Sequence, residues 1–305
     1  MKLTFPDHRE TTLDCKQAAV RAVRLSADSK YCLTCGSDKS VKLWNPHRGL
    51  FLKSYSGHGH EVLDAQGSGD NAQICSGSMD KTVVLFDVAT GQALRKYRDH
   101  AGTVNCVKFN EESTVILSGS LDSSVRAWDT RSRGHTPIQI LDEATDSVTS
   151  IQVSDHEILT GSADGRFRRY DLRIGKLFVD FIGKAVTCVT FTRDGQCCLV
   201  SSQDSTLRLM DKDTGEMLNE FTGHKNTQYK IDSCLNHEDT LILSGSEDGK
   251  VYIWDLVEAK LVHKLDHGTT RPVHSLAPHH SEACLLTACA DKVYVWRSSQ
   301  SMEDG

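Results

Sequence analysis

Apolar and polar residues follow one another along this chain in short runs. Val104-Asn105-Cys106-Val107-Lys108-Phe109 is one β-rich run, Val115-Ile116-Leu117-Ser118 is the next, and Val125-Arg126-Ala127-Trp128 alternates with period two. Clusters of Asn, Asp, Gly and Ser break the runs at turns. No window of about a dozen residues holds the 3.6-residue period of a helix. The pattern also repeats. Turn aspartates stand at Asp38, Asp80, Asp122, Asp164, Asp204, Asp248 and Asp291, in steps of 42, 42, 42, 40, 44 and 43 residues. Small residues precede most of them, as in Gly77-Ser78-Met79-Asp80 and Gly119-Ser120-Leu121-Asp122. A large side chain follows each: Trp44, Phe86, Trp128, Tyr170, Met210, Trp254 and Trp296. Four short strands per repeat, seven times over, predict an all-β, seven-bladed propeller.

The chain ends bear on how the ring closes. After Trp296 only a polar stretch remains, whereas Thr11-Thr12-Leu13-Asp14-Cys15 reads as a strand without a repeat of its own. That strand is expected to complete the last blade and remove the seam. The propeller is placed at 11–297, with flexible tails at 1–10 and 298–305.

The repeating unit, opened in four cases by Gly57-His58, Asp99-His100, Gly223-His224 or Asp266-His267 and in its fullest form ending near Trp-Asp, resembles the WD repeat. The resemblance implies a buried hydrogen-bond chain of histidine, strand serine, turn aspartate and tryptophan. It maps onto His100, Ser118, Asp122 and Trp128 in blade three, and onto His224, Ser244, Asp248 and Trp254 in blade six. These residues are then structural and not a hydrolase triad. Blades one and four lack the histidine, and blade five has Val200 and Met210 where serine and tryptophan belong. Those blades are expected to be less firmly stapled, through drift or because their surfaces serve binding.

Charge narrows the function. Lysine plus arginine total 35 against 41 acidic residues, a formal charge of -6. That balance disfavours nucleic acid as a direct ligand. No apolar run approaches the roughly 20 residues that span a bilayer. The eleven cysteines read mainly as small buried hydrophobes of a reducing compartment. Cys32 and Cys35 have an odd offset on a predicted strand, so their thiols should face opposite ways and hold no metal. His58-Gly59-His60 and His279-His280 lack a third ligand, and Gly67-Ser68-Gly69 lacks the strand-to-helix setting of a phosphate loop. No enzyme, cofactor or metal is expected. The basic stretch Arg166-Phe167-Arg168-Arg169-Tyr170-Asp171-Leu172-Arg173 reads as a solvated blade edge.

Idiosyncratic stretches carry a closer resemblance: Tyr31-Cys32-Leu33-Thr34-Cys35-Gly36-Ser37-Asp38-Lys39, Tyr55-Ser56-Gly57-His58-Gly59-His60-Glu61-Val62-Leu63-Asp64-Ala65, and Asp211-Lys212-Asp213-Thr214-Gly215-Glu216. They are similar to the mitogen-activated protein kinase organizer 1 family, also called WD repeat domain 83 proteins. The resemblance implies a non-catalytic, monomeric scaffold of cytoplasm and nucleus. Its implied partners are kinases of the extracellular-signal-regulated (ERK) cascade and their adaptors, a hypoxia-pathway prolyl hydroxylase, and splicing factors of the spliceosome. In WD propellers the binding face is often the top. By register its inner-strand positions are Arg21, Leu63, Asn105, Thr149, Thr187, Lys230 and His274, and its turn positions include Met79, Leu121, Gln203 and Glu247. Leu63, Met79 and Leu121 should form one apolar patch beside Glu61. Two consecutive Asp-x-Arg boxes, with Arg131 and Arg173, resemble those of substrate receptors in cullin–RING ubiquitin ligases, a second reading. A purely structural part in the spliceosome is a third.

Overall fold

The computed structural model describes residues 4–299. Among them, strands form seven antiparallel four-stranded sheets, each a blade. Six blades use four successive strands; they cover 20–56, 62–97, 104–141, 148–181, 186–222 and 233–266. The seventh takes Val273–Pro278, Cys284–Cys289 and Lys292–Arg297, and its outer strand is His8–Asp14 from the start of the chain. Leu13 pairs with Val293 and Arg9 with Trp296, so the ring is closed by hydrogen bonds between its two ends.

The closing strand starts at His8, so residues 8–10 belong to the propeller and not to a tail. Phe5 lies 5.2 Å from the His263 ring, and Asp7 accepts from the Ser299 backbone N–H. The tail residues expected at 1–3 and 300–305 lie outside the described residues.

The core is a set of seams between blades. Cys75, Val83, Leu85 and Tyr97 of blade two pack on Val104, Val107, Ile116 and Trp128 of blade three. Each strand sends alternate side chains into the seams on its two sides. Cys32 and Cys35 accordingly lie in different clusters, and all eleven cysteines are unbridged. The Gly-Ser pairs set how close the blades come. A Cβ on Gly119 would stand 2.6 Å from Val148 Cγ1 and 3.1 Å from Ile151 Cδ1, inside the next blade's inner strand.

In six blades the pairing of the inner and second strands slips at one residue: Arg21, Leu63, Asn105, Thr149, Thr187 or His274. These β-bulges are six of the seven inner-strand positions assigned above to the top face. A bulge re-aims the side chain at the slip. Blade six departs: its inner strand is only Ser233–Leu235, and 226–232 run as a loop before it.

Candidate functional site: a tied collar and two exposed faces

The turn aspartates hold each blade's upper corner. In blade three, His100 Nδ1 is 2.8 Å from Asp122 Oδ2 and its Nε2 is 2.8 Å from Ser118 Oγ, which also accepts the Trp128 indole N–H at 2.9 Å. Burial pushes the His100 pKa down, which favours the neutral ring. Burial alone would raise Asp122, but bonds from Ser124 and His100 outweigh it and hold the carboxyl below its usual range.

The same chain is absent in blade six. Tyr252 O–H donates to Asp248 Oδ2 at 2.8 Å, Ser244 O–H donates to the Gly245 carbonyl, and the Trp254 indole donates to the Thr222 carbonyl. His224 is left edge-on to Trp254 at 5.5 Å, with both ring nitrogens buried and unpaired. The physical reason is competition: Tyr252, four residues after the aspartate, already occupies the carboxylate that a histidine would take.

The expectation of looser blades is also corrected. In blade one, Gln17 replaces the histidine and donates to Asp38 Oδ1 at 3.1 Å. In blades four and five an arginine four residues after the aspartate does so. Arg168 Nη2 meets Asp164 Oδ2 at 2.7 Å, and Arg208 Nη2 meets Asp204 Oδ2 at 2.7 Å. Arg168 and Arg169 are both buried, Arg169 on Glu157 at 2.6 Å, so the basic stretch is not a solvated edge.

The bulged side chains form a collar of ties between neighbouring blades. Arg21 Nη2 meets Glu61 at 2.9 Å. The Asn105 amide donates to Ser147 Oγ and the Val148 carbonyl. Thr149 donates to the Val186 carbonyl, and Thr187 accepts from Asn226. His274 stands edge-on to Tyr229 at 5.5 Å. Thr187 is buried and cannot meet a partner directly. Glu247 is also buried. Its carboxylate accepts the backbone N–H groups of Thr227, Gln228 and Tyr229 and so caps the loop of blade six. Burial opposes its ionisation, but those three N–H bonds dominate and keep its pKa low. Lys230, on that loop, reaches across the ring to the Asn105 carbonyl at 3.0 Å.

Met79 and Leu121 remain on the top face, 43% and 57% exposed on the turns of blades two and three, with Leu63 half-buried and Gln203 partly exposed. The backbone N–H of Met79 donates to the Glu61 carbonyl, which sets Met79 beside the Arg21–Glu61 pair. In the turns after the third strands, Arg131 and Arg173 have side chains 71% and 62% exposed, each bent back onto its own Asp129 or Asp171. A nearby trio of His156, Glu157 and Asp171 has metal-like spacing, but Arg169 and Lys212 already hold Glu157, and Arg173 holds Asp171.

Comparison with known proteins agrees with this architecture. The family described as Nucleolar protein 10-like, N-terminal domain matches residues 61–243, and the WD domain, G-beta repeat matches 7–45. The chain is 65% identical to the human WD repeat domain-containing protein 83, over 99% of this chain and 96% of that protein. It is 64% identical to the Rattus norvegicus protein of that name, over 99% and 95%. A Dictyostelium discoideum homolog is 35% identical over 92% and 95%. The chain belongs to the WD repeat domain-containing protein 83 family. The match to the human member covers nearly the whole of both chains, so the family's shared length is the propeller itself. Among the described residues, no helix is long and apolar enough to cross a membrane.

Proposed function

We propose that this member of the WD repeat domain-containing protein 83 family is a non-catalytic scaffold, working in cytoplasm and nucleus, that assembles proteins of the ERK kinase cascade. One observation carries the reading. The polar side chains of the collar are largely spent on bonds to neighbouring blades and loops, while Met79 and Leu121 are left exposed on the turns of adjacent blades. A rigid apolar patch rimmed by an ion pair suits another protein's surface better than a reacting substrate. The kinase-cascade assignment, and the hypoxia-pathway hydroxylase and splicing factors beside it, rest on the resemblance of the sequence to the mitogen-activated protein kinase organizer 1 family.

The test is affinity purification of the tagged chain from cytosolic and nuclear extracts, with the Leu63→Asp/Met79→Asp/Leu121→Asp variant alongside. Loss of kinase-cascade proteins from a variant that melts like wild type is the expected outcome. Undiminished capture by that variant sinks the patch. A second reading, substrate receptor of a cullin–RING ligase, draws on the exposure of Arg131 and Arg173. It requires Arg131→Ala/Arg173→Ala to abolish recovery of a cullin adaptor.

A further inference from the structure

A solvent-open chamber of about 730 Å³ lies on the propeller's axis, its lining polar and apolar in about equal measure. That volume suits a small-molecule ligand. Of the collar positions only Lys230 lines it, and its other walls run down to the turns that follow the inner strands, such as Gly69, Glu111 and Asp239. Lys230 and Arg24 bridge it from within. Arg24 Nη1 meets Asp232 at 2.8 Å and Ser275 Oγ at 2.7 Å, and its Nη2 meets Asp64 at 3.0 Å, so one guanidinium joins blades one, two, six and seven.

The fifth residues of successive inner strands share one level. They are Arg24, Gln66, Lys108, Gln152 and Thr190 in blades one to five. Arg24 takes up both carboxylates facing the chamber's upper part, Asp64 and Asp232. Asp64 additionally accepts the Ala65 and Val107 backbone N–H groups. Lys108 therefore has no hydrogen-bond or ion-pair partner among the described residues, and Gln66 spends only its carbonyl oxygen, on the Phe109 N–H. Burial and the charge of Arg24 depress the Lys108 pKa and outweigh the attraction of Asp64 and Asp232, both of which Arg24 binds. Over the whole lining, Arg24, Lys108, Arg193 and Lys230 balance Asp64, Glu111, Asp232 and Asp239, so what the chamber offers an anion is the one cation without a bonded partner among the described residues, Lys108. At the mouth, Arg193 is tied to Asp239 by a backbone bond, and Glu111 stands three residues beyond Lys108.

We infer that the chamber binds a small phosphorylated polyol, its phosphate held by the Lys108 ammonium and the Gln66 amide. A phosphate offers several acceptor oxygens to the three ammonium N–H donors and the amide. The remaining volume, walled in part by Asn110, Gln152 and Thr190, accommodates a hydroxylated body. The site is independent of the scaffold reading, because none of Leu63, Met79 and Leu121 lines it.

The test is isothermal titration calorimetry of the full chain with inorganic phosphate, myo-inositol 1-phosphate, unphosphorylated myo-inositol and citrate. Inositol phosphate should bind more tightly than phosphate and raise the melting temperature, while myo-inositol does neither. Lys108→Gln should weaken binding at least about tenfold and Lys108→Arg by only a few-fold. Lys108→Gln should also melt no lower than wild type without ligand, since the ammonium has no partner to lose. The proposal is overturned by equal affinity in wild type and Lys108→Gln, by myo-inositol binding as well as its phosphate, by citrate binding tighter than both phosphates, or by no heat and no thermal shift with either phosphate. The wild-type thermal shift decides the matter even where a variant fails to fold.

Discussion

Replacing Arg168 by Leu tests whether an arginine does in blade four what histidine does in blade three. Arg168 and Asp164 side chains are 3% and 5% exposed, and the guanidinium bonds both Asp164 and Ser162 at 2.7 Å. Breaking a buried pair by deleting one partner costs about 3–5 kcal/mol. Here the orphaned carboxylate keeps bonds from the Thr145 backbone and hydroxyl, the Ser162 hydroxyl and the Arg166 N–H, which places the loss near the lower end, about 3 kcal/mol. For a chain of this size that is a drop in Tm on the order of 6 °C. The loss has a pH signature. Burial raises the Asp164 pKa, but bonds from Arg168 and Ser162 outweigh it and hold the carboxyl well below its usual range. In wild type its contribution is complete above the unfolded value of about 4 and is lost as pH falls through the lower folded value. Arg168 is the largest of the groups holding the carboxyl down, so without it the folded pKa rises toward the unfolded value and the acid-sensitive part of the stability shrinks. The variant's deficit should then narrow between neutral pH and about pH 3, where wild type loses the contribution that the variant already lacks. Arg168→Leu/Asp164→Asn should recover most of the loss. Thermal melts followed by circular dichroism at both pH values give the answer. A single variant within about 1 °C of wild type, or a double variant less stable than the single, refutes the staple.

Three further outcomes follow from the same geometry. Asp122→Ala should cost about 2 kcal/mol by stranding His100 in a dry pocket, and an unchanged melting temperature would contradict the chain described for blade three. His224→Phe should be neutral or stabilising at pH 7, because neither ring nitrogen has a partner, whereas His100→Phe should destabilise by about 2 kcal/mol. Burial pushes His224 down to about 4 while the unfolded residue titrates near 6.5, so the unfolded chain takes the proton first and stability falls as pH drops through that window; His224→Phe should flatten the slope, and an equal slope would refute the assignment. Glu247→Ala should speed hydrogen exchange at the amides of Thr227, Gln228 and Tyr229 and leave blade three unaffected, with unchanged exchange at those amides telling against the cap.

The repeat made the ring legible because a fixed spacing of turn aspartates constrains every strand between them. The resemblance to WD proteins also located the polar chain of blade three. It misplaced blade six because the consensus names only the histidine and says nothing of Tyr252 four residues past the aspartate. The position after the turn was the missed signal. Lys42, Arg126, Arg168, Arg208 and Tyr252 all stand there, and each lies close to its own aspartate. Six of the inner-strand positions fall on β-bulges, and there most of the side chains tie blades together. A slip in strand pairing is not visible in composition, so Asn105, Thr149 and Thr187 looked like free contact residues when they are ties to the next blade. Glu247 was misjudged for a related reason, since its partners are backbone N–H groups of a loop 18 to 20 residues earlier, and the run Gln228-Tyr229-Lys230-Ile231-Asp232 fits no blade template.

These ties explain how a ring of thin blades can serve as a platform. Each seam holds only neighbouring blades together, so on seams alone a ring would flex blade by blade. Two bonds act at longer range. Arg24 unites blades one, two, six and seven, and Lys230 carries blade six across to blade three. Met79 and Leu121 sit on blades two and three, which are the far ends of those two bonds. A partner docking there meets turns already fixed by the collar and by the cross-ring bonds, so little ordering entropy is lost on association. That makes Arg24 a sharper probe of scaffold function than any surface residue. Arg24→Met leaves both faces chemically unchanged, yet it takes the shared cation from Asp64 and Asp232 and removes the side chain that joins four blades, with the seams left in place. Weakened partner capture in that variant, at a temperature where it remains folded, would locate the binding energy in the rigidity of the ring. Capture equal to wild type would place it in the patch alone.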